Sequence, residues 1–478
     1  MTSRALRAGY WRLAIPLLVS LALPATARAS ADVVGGADGH SLSAVQGAGR
    51  PLADVATGGA AADSLGLISE FEVDGLKVLV KRREGSQTVV AGLYLRGGAA
   101  NVTAEDAGIE ALMLAVATEA SENFPRERLR RELSSIGTEI GSAAGYDYSA
   151  LTMNSTRLHF DRSWEIFTDV AVHPSFNPED FLRVKNGMVA SLSNAQDTPD
   201  AYLQMLQSRV AFLGHPYMND PRGTVEAVGR LQQEDVGRHH REVMQKTRLL
   251  LVLVGDLDPL EIRRRVEVSF GRLPRGSYRS EPLPQLSFAG PTLEVTPRNL
   301  ITNYVQGIYA APPLTSPDYH AMRVATSILQ SRVYQEVRER RNLSYAPDAF
   351  LWNRGANLGG IYVTADDANR AVSIMLEEIG RLQRNPISEQ ALISTAQHFL
   401  TTYYLRQETS AAQADVLAQY ELIGGGWRNS DAFLEGVRGV TPEDVLRVAS
   451  TYMRNLQFVV LGDPRRIDRA VFTGAAAR

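Results

Sequence analysis

The chain has 478 residues, 44% hydrophobic and 22% charged, a composition that buries large cores and excludes a single small module. Its 50 basic and 53 acidic residues leave a formal charge of −3 with no basic block, which excludes nucleic acid as the expected partner. There is no cysteine, so disulfides, thiolate metal sites and a lipidated cysteine anchor are excluded as well.

At the N-terminus, Arg4, Arg7 and Arg12 precede the apolar run Leu13–Leu23, and Ala27-Arg28-Ala29 supplies the small residues of a cleavage site. Residues 1–29 therefore read as an export signal cut after Ala29. The run is shorter than the roughly 20 apolar residues that cross a bilayer, and Pro16 and Pro24 interrupt it. The expected location is the periplasm or the extracellular space, with no membrane span once the signal is removed. Residues 30–63 are rich in Ala, Gly and Ser, cannot bury enough apolar surface to order themselves, and read as a flexible tether.

Residues 64–271 read as a first lobe. Phe71–Val78 contains Asp74-Gly75, which supplies the positive φ angles of a type I′ hairpin turn. Beyond a strand ending near Arg96, Thr103 is expected to cap a helix through Ile109, Leu112, Met113 and Val116. Tyr146–Thr152 alternates as a strand, and Glu234-Asp235-Val236 opens a helix that leads to the strand Leu249–Val254 and Gly255-Asp256. Residues 272–291 carry Pro274, Gly276, Pro282, Pro284, Gly290 and Pro291 and read as a linker.

Residues 292–478 repeat the pattern. Val305–Tyr309 matches Val90–Tyr94, and Glu443-Asp444-Val445 opens a helix leading to the strand Gln457–Leu461 and Gly462-Asp463. Matches at both ends of each half, roughly two hundred residues apart, indicate a duplicated domain. The expected fold is α+β: two similar lobes, each an antiparallel-containing sheet with helices packed on one face.

In this order of elements, and in the phrases Ala107-Gly108-Ile109, Ser331-Arg332-Val333-Tyr334-Gln335-Glu336-Val337-Arg338 and Arg341-Asn342-Leu343-Ser344-Tyr345, the chain resembles the insulinase/pitrilysin metallopeptidase family. The resemblance runs over nearly all of the chain beyond the tether and implies a hinged half-shell. It also implies an inverted zinc motif, His-x-x-Glu-His, on the helix after the first strands. Histidines at i and i+4 share one helix face and reach one tetrahedral zinc, while the glutamate acts as general base. Matching Gly108-Ile109 to the family's glycine puts Ala111 at the first histidine, Leu114 at the glutamate and Ala115 at the second histidine. The family's third ligand, a glutamate, falls near Ser191-Leu192, and no glutamate occurs between Glu179 and Glu226. The chain is thus expected to carry no catalytic residue and no metal of its own.

The histidines, His40, His159, His173, His215, His239, His240, His320 and His398, offer no replacement, since none is followed directly by glutamate. His239-His240-Arg241-Glu242 has the first spacing but continues with Val243, and His215-Pro216 reads as a turn. There is no Gly-x-Ser-x-Gly elbow and no phosphate or dinucleotide loop. Glu377-Glu378 reads as a solvated helix face, Thr441-Pro442-Glu443-Asp444 as a helix N-cap, and Gly424-Gly425-Gly426-Trp427 as a turn after a helix, with a mobile lid as the alternative.

The family's Arg-x-Leu-x-Tyr motif is intact. By resemblance, Arg341 and Tyr345 are substrate-binding residues that hold a peptide backbone near the zinc. Residue type alone reads Arg341 as an ion pair among Arg338, Glu339 and Arg340, and Tyr345 as a packed strand residue. The resemblance implies a non-catalytic subunit that binds peptide substrates in a heterodimer with a zinc-bearing insulinase-type peptidase subunit. The cofactor zinc is then expected in the partner chain. Two alternatives stand beside this: a structural or binding protein like the family's core subunits of respiratory complexes, and an active metallopeptidase with unconventional ligands.

Overall fold

The computed structural model describes residues 67–474; the expected signal and tether lie outside the described residues. Strands β1 (Ile68–Val73) and β2 (Leu76–Arg82) turn back at Asp74 and Gly75, whose φ angles of 47° and 98° make the expected hairpin. Next come β3 (Thr88–Arg96), α1 (Ile109–Ala117), α2 (Arg126–Ile136), β4 (Glu139–Ala144) and β5 (Tyr148–Thr156). The helices α3 (Phe160–Val172), α4 (Pro178–Ala195), α5 (Pro199–Ala211), α6 (Val225–Arg230) and α7 (Gln233–Val243) lead to β6 (Leu249–Gly255) and α8 (Pro259–Ser269).

Residues 272–291 hold neither helix nor strand. After them follow β7 (Thr292–Pro297), β8 (Asn303–Ala311), α9 (Tyr319–Val333), β9 (Asp348–Leu351) and β10 (Asn357–Ala365). The chain continues with α10 (Ala368–Arg384), α11 (Glu389–Arg406), α12 (Ser410–Ile423), α13 (Ala432–Arg438), α14 (Pro442–Tyr452), β11 (Gln457–Gly462) and α15 (Arg469–Thr473). No helix among the described residues is long and apolar enough to cross a membrane.

The first sheet runs β1-β2-β6-β3-β5-β4 and the second β7-β11-β8-β10-β9. One pair in each is parallel, β2 with β6 and β7 with β11, and every other pair is antiparallel. Apart from β1, the two sheets share one order and one sense, as a duplication requires. Gln232 with Asp235 and Thr441 with Asp444 form matching capping boxes at α7 and α14, which aim both helices into the strands β6 and β11.

Each sheet packs its own lobe's helices on one face, around Leu93, Leu251, Phe167 and Trp164 in the first and Tyr309, Val460, Met322 and Met375 in the second. The opposite faces are covered reciprocally. Helix α12 of the second lobe lays Ala414, Leu417 and Ala418, with Trp427 beyond it, on Leu79, Val90, Leu250 and Val252 of the first sheet. Helix α5 of the first lobe sets Leu203 and Leu206 on Val459 and Leu461 of the second. Strands β6 and β11 are consequently buried at every residue, which is why, after Gln457 in β11, they are apolar runs without alternation. Each leucine sealed here contributes about 1.5–3 kcal/mol against separation of the lobes.

The triple glycine closes α12 as a turn, and Trp427 is 2% exposed in the interlobe core, its Nε1 donating to Glu70 Oε2 at 2.9 Å. Glu377 is exposed as expected, but Glu378 is buried against Arg381, whose Nη1 donates to it at 2.8 Å. The solvated-face reading therefore fails for Glu378, because consecutive helical residues point about 100° apart and only one can face water.

Asp415 of α12 accepts a hydrogen bond from the Tyr94 hydroxyl at 2.9 Å, and burial pushes its carboxyl up to about 6. Between its ordinary value of 3.8 and about 6, the folded state binds the extra proton, so stability falls as pH rises through that window. Asp415→Asn keeps an acceptor for Tyr94 and is expected to stabilise the protein by about 2 kcal/mol at pH 7.5. The gain should vanish near pH 4; urea unfolding at both pH values checks it, and an equal effect at both would refute the assignment.

Candidate functional site

Helix α1 begins at Gly108, where φ is 90° and a Cβ would lie 2.7 Å from the Arg222 carbonyl oxygen. Glycine is required for that close approach. Thr103 is not the cap: its Oγ1 donates to Asp106 Oδ2 at 3.0 Å in the turn before the helix. Ile109, Leu112, Met113 and Val116 enter the core, and Leu114 is buried there too.

Ala111 and Ala115, one turn apart, line a cavity of about 600 Å³ between the lobes. Helix α4 contributes Met188 to the same cavity. Ser191 is exposed and Leu192 packs on the core, so of this stretch of α4 it is Met188 that lines the cavity. Two alanines and a thioether do not fit zinc, which needs imidazole, carboxylate or thiolate donors. Among the described residues no group of three His, Asp or Glu side chains is placed to hold a metal ion.

The remaining wall includes the edge of a sheet. Ser142, Ala143 and Ala144 of β4 line the cavity, and β4 is the edge of its sheet, paired only to β5. Its outward N–H and C=O groups are therefore open to another strand. Gln204 and Ser208 of α5, Gln419 of α12 and the turn Trp352–Arg354 after β9 complete the enclosure.

Behind Ala111 stands a buried charge cluster that the sequence reading missed. The Glu110 carboxylate accepts from Ser149 Oγ and from Arg248 Nη2 at 3.0 Å, with His239 Nε2 at 3.5 Å. Burial pushes the Glu110 carboxyl up, but His239, Arg248 and Ser149 together overcome it and hold it below its ordinary value. The signal available was a lone acid in the apolar stretch from Ala107 to Ala117. His240 is half-buried and hydrogen-bonds Ala171 O at 2.9 Å; burial lowers its pKa. His215 stays the turn residue expected, its Nδ1 accepting from the Tyr217 N–H at 3.0 Å.

Arg341 and Tyr345 follow a π-helical turn, Tyr334–Glu339. Arg341 donates to the Glu336 carbonyl at 3.0 Å and pairs with the Glu336 carboxylate, so its partner is Glu336 and not Glu339. Tyr345 is 81% exposed and lies ahead of β9, outside any strand. Neither residue is among those lining the cavity beside Ala111 and Ala115.

The family model described as insulinase (peptidase family M16) matches residues 77–224, and that described as peptidase M16 inactive domain matches residues 230–397. The chain belongs to the insulinase family. The insulinase chain is 21% identical over 389 residues to the bovine mitochondrial cytochrome b-c1 complex subunit 1, covering 80% of this chain and 77% of that one. It is 17% identical over 417 residues to the non-peptidase homolog YmxG of Helicobacter pylori, covering 84% and 95%. Its fold is shared with a protease from Helicobacter pylori, at a TM-score of 0.76 and 15% identity, covering 83% of this chain and 99% of that one. Within the family it is a peptidase homologue, its second half matching the model of the inactive domain.

Proposed function

We propose that this chain is the non-catalytic, substrate-binding subunit of an exported insulinase-type zinc peptidase, acting in a heterodimer with a zinc-bearing partner chain. The observation that carries this reading is the cavity itself: Ala111 and Ala115, the residues expected at the two histidine positions, line it together with the open edge of β4. A peptide added to that edge gains main-chain hydrogen bonds without being cut. The sequence of residues 1–29 supports export, and the names of the relatives, a complex subunit and a non-peptidase homolog, support a partnered, non-catalytic role.

Tyr345, exposed and preceding β9, and Arg341, anchored by Glu336, are assigned to the substrate backbone in the chamber that the partner completes. The test is to mix the purified chain with the zinc-bearing insulinase chain of the same organism. Co-elution and faster cleavage of an unstructured peptide are expected; neither association nor acceleration would reject the reading. Tyr345→Phe is expected to lower turnover of the complex about 100-fold, the order seen on removing a donor to developing negative charge, while assembly is unchanged. Equal turnover would remove Tyr345 from the composite site. The likeness to a cytochrome b-c1 complex subunit favours one alternative, a purely structural role, which predicts association with no effect on cleavage.

A further inference from the structure

The cavity wall carries four charged side chains, Asp147, Asp220, Arg222 and Arg354. Three are satisfied within the wall. Arg222 donates from its backbone N–H, Nε and Nη2 to the Asp220 carboxylate at 2.8, 3.2 and 3.0 Å. Asp147 accepts from the Tyr217 hydroxyl and, at 3.2 Å on each oxygen, from the Gly355 N–H. Arg354 is different: among the described residues it makes no ion pair within 4.0 Å, and its Nη1 is buried without an acceptor.

Its position is nonetheless fixed. The guanidinium lies 4.0 Å from the Trp352 ring and 4.1 Å from the Tyr146 ring, one from each lobe, with Phe212 at 5.9 Å. The Asp147–Gly355 bonds pin the turn that carries it. Aromatic faces hold a guanidinium in place while leaving its in-plane N–H fork free, and a buried donor without a partner costs free energy until one arrives. Tyr146 follows the edge strand β4 by two residues, and Arg354 lines the same cavity as Ser142, Ala143 and Ala144 of that edge.

We infer that Arg354 is a specificity-determining residue that binds a carboxylate of the peptide lodged against β4, either its C-terminus or an Asp or Glu side chain. A carboxylate matches the fork with two parallel charge-assisted hydrogen bonds, which a neutral amide cannot. This inference rests on the peptide-binding reading above.

The test is fluorescence anisotropy of the purified full chain with four versions of one short, unstructured, labelled peptide. One has a free C-terminus and a single Glu; the others are amidated, Glu→Gln, or both. The fully acidic peptide should bind roughly ten-fold more tightly than the neutral one. Whichever single change abolishes that preference names the source of the carboxylate. Arg354→Gln should bind all four equally, and Arg354→Lys should keep only part of the preference because it retains the charge but not the fork. Equal affinity of the unaltered chain for all four peptides, or a preference that survives in Arg354→Gln, would overturn the inference while leaving peptide binding in place. No binding of any peptide would overturn both, and this arm needs no variant to fold.

Discussion

Arg248→Met is expected to cost roughly 3–5 kcal/mol of stability, the penalty for leaving a buried carboxylate without its cation. Glu110 is 4% exposed, and among the described residues Arg248 is the one permanently charged side chain paired with its carboxylate. The charge would then have to be desolvated unpaired or neutralised by a proton. The matched prediction is that Glu110→Gln/Arg248→Met recovers most of the loss, since a buried pair replaced as a pair is often nearly neutral. Urea unfolding of the single and double variants decides it. A single-variant loss below about 1 kcal/mol, or a double variant no better than the single, would mean that the cluster is not the electrostatic unit described.

Restoring ligands at the motif positions should convert the cavity into a metal site. Ala111→His and Ala115→His place two imidazoles on one helix face, and Met188→Glu adds a carboxylate from α4. The triple variant is expected to purify with about one zinc per chain by elemental analysis, against essentially none in the unaltered protein. Leu114 is left in place because it packs in the core, so the variant should bind zinc without a general base and remain a poor peptidase. Zinc in the unaltered protein would mean a site built from other ligands. A zinc-free triple variant that is folded would mean that Met188 is not the third position.

The strands were legible because their chemistry is local: Asp74-Gly75 can hardly be anything but a tight hairpin, and the apolar runs at 249–254 and 458–461 are strands buried on both sides. The helix through Ile109, Leu112, Met113 and Val116 was legible for the same reason, since its apolar spacing is local. What escaped the reading depends on distance along the chain. That Met188 lines the cavity was not legible, because which face of α4 turns inward is set by packing after several loops and not by a count of residues. Glu110 and Arg248, Tyr146 and Arg354, and α12 and the first sheet meet only after folding, and no local pattern announces such meetings. Glu378 was misjudged because its buried side is created by tertiary contacts.

The reciprocal covering of the sheets also bears on the order in which the molecule acquires its structure. The outer face of the first sheet, formed by residues before 256, waits for residues 410–427 to arrive, while α5 waits for β11 near the end of the chain. Contacts so far apart in sequence make collapse slow and leave apolar surface bare in any nascent or truncated form. Each half on its own would thus bare one apolar sheet face, and severing the linker of the folded chain is expected to leave two pieces still clasped together.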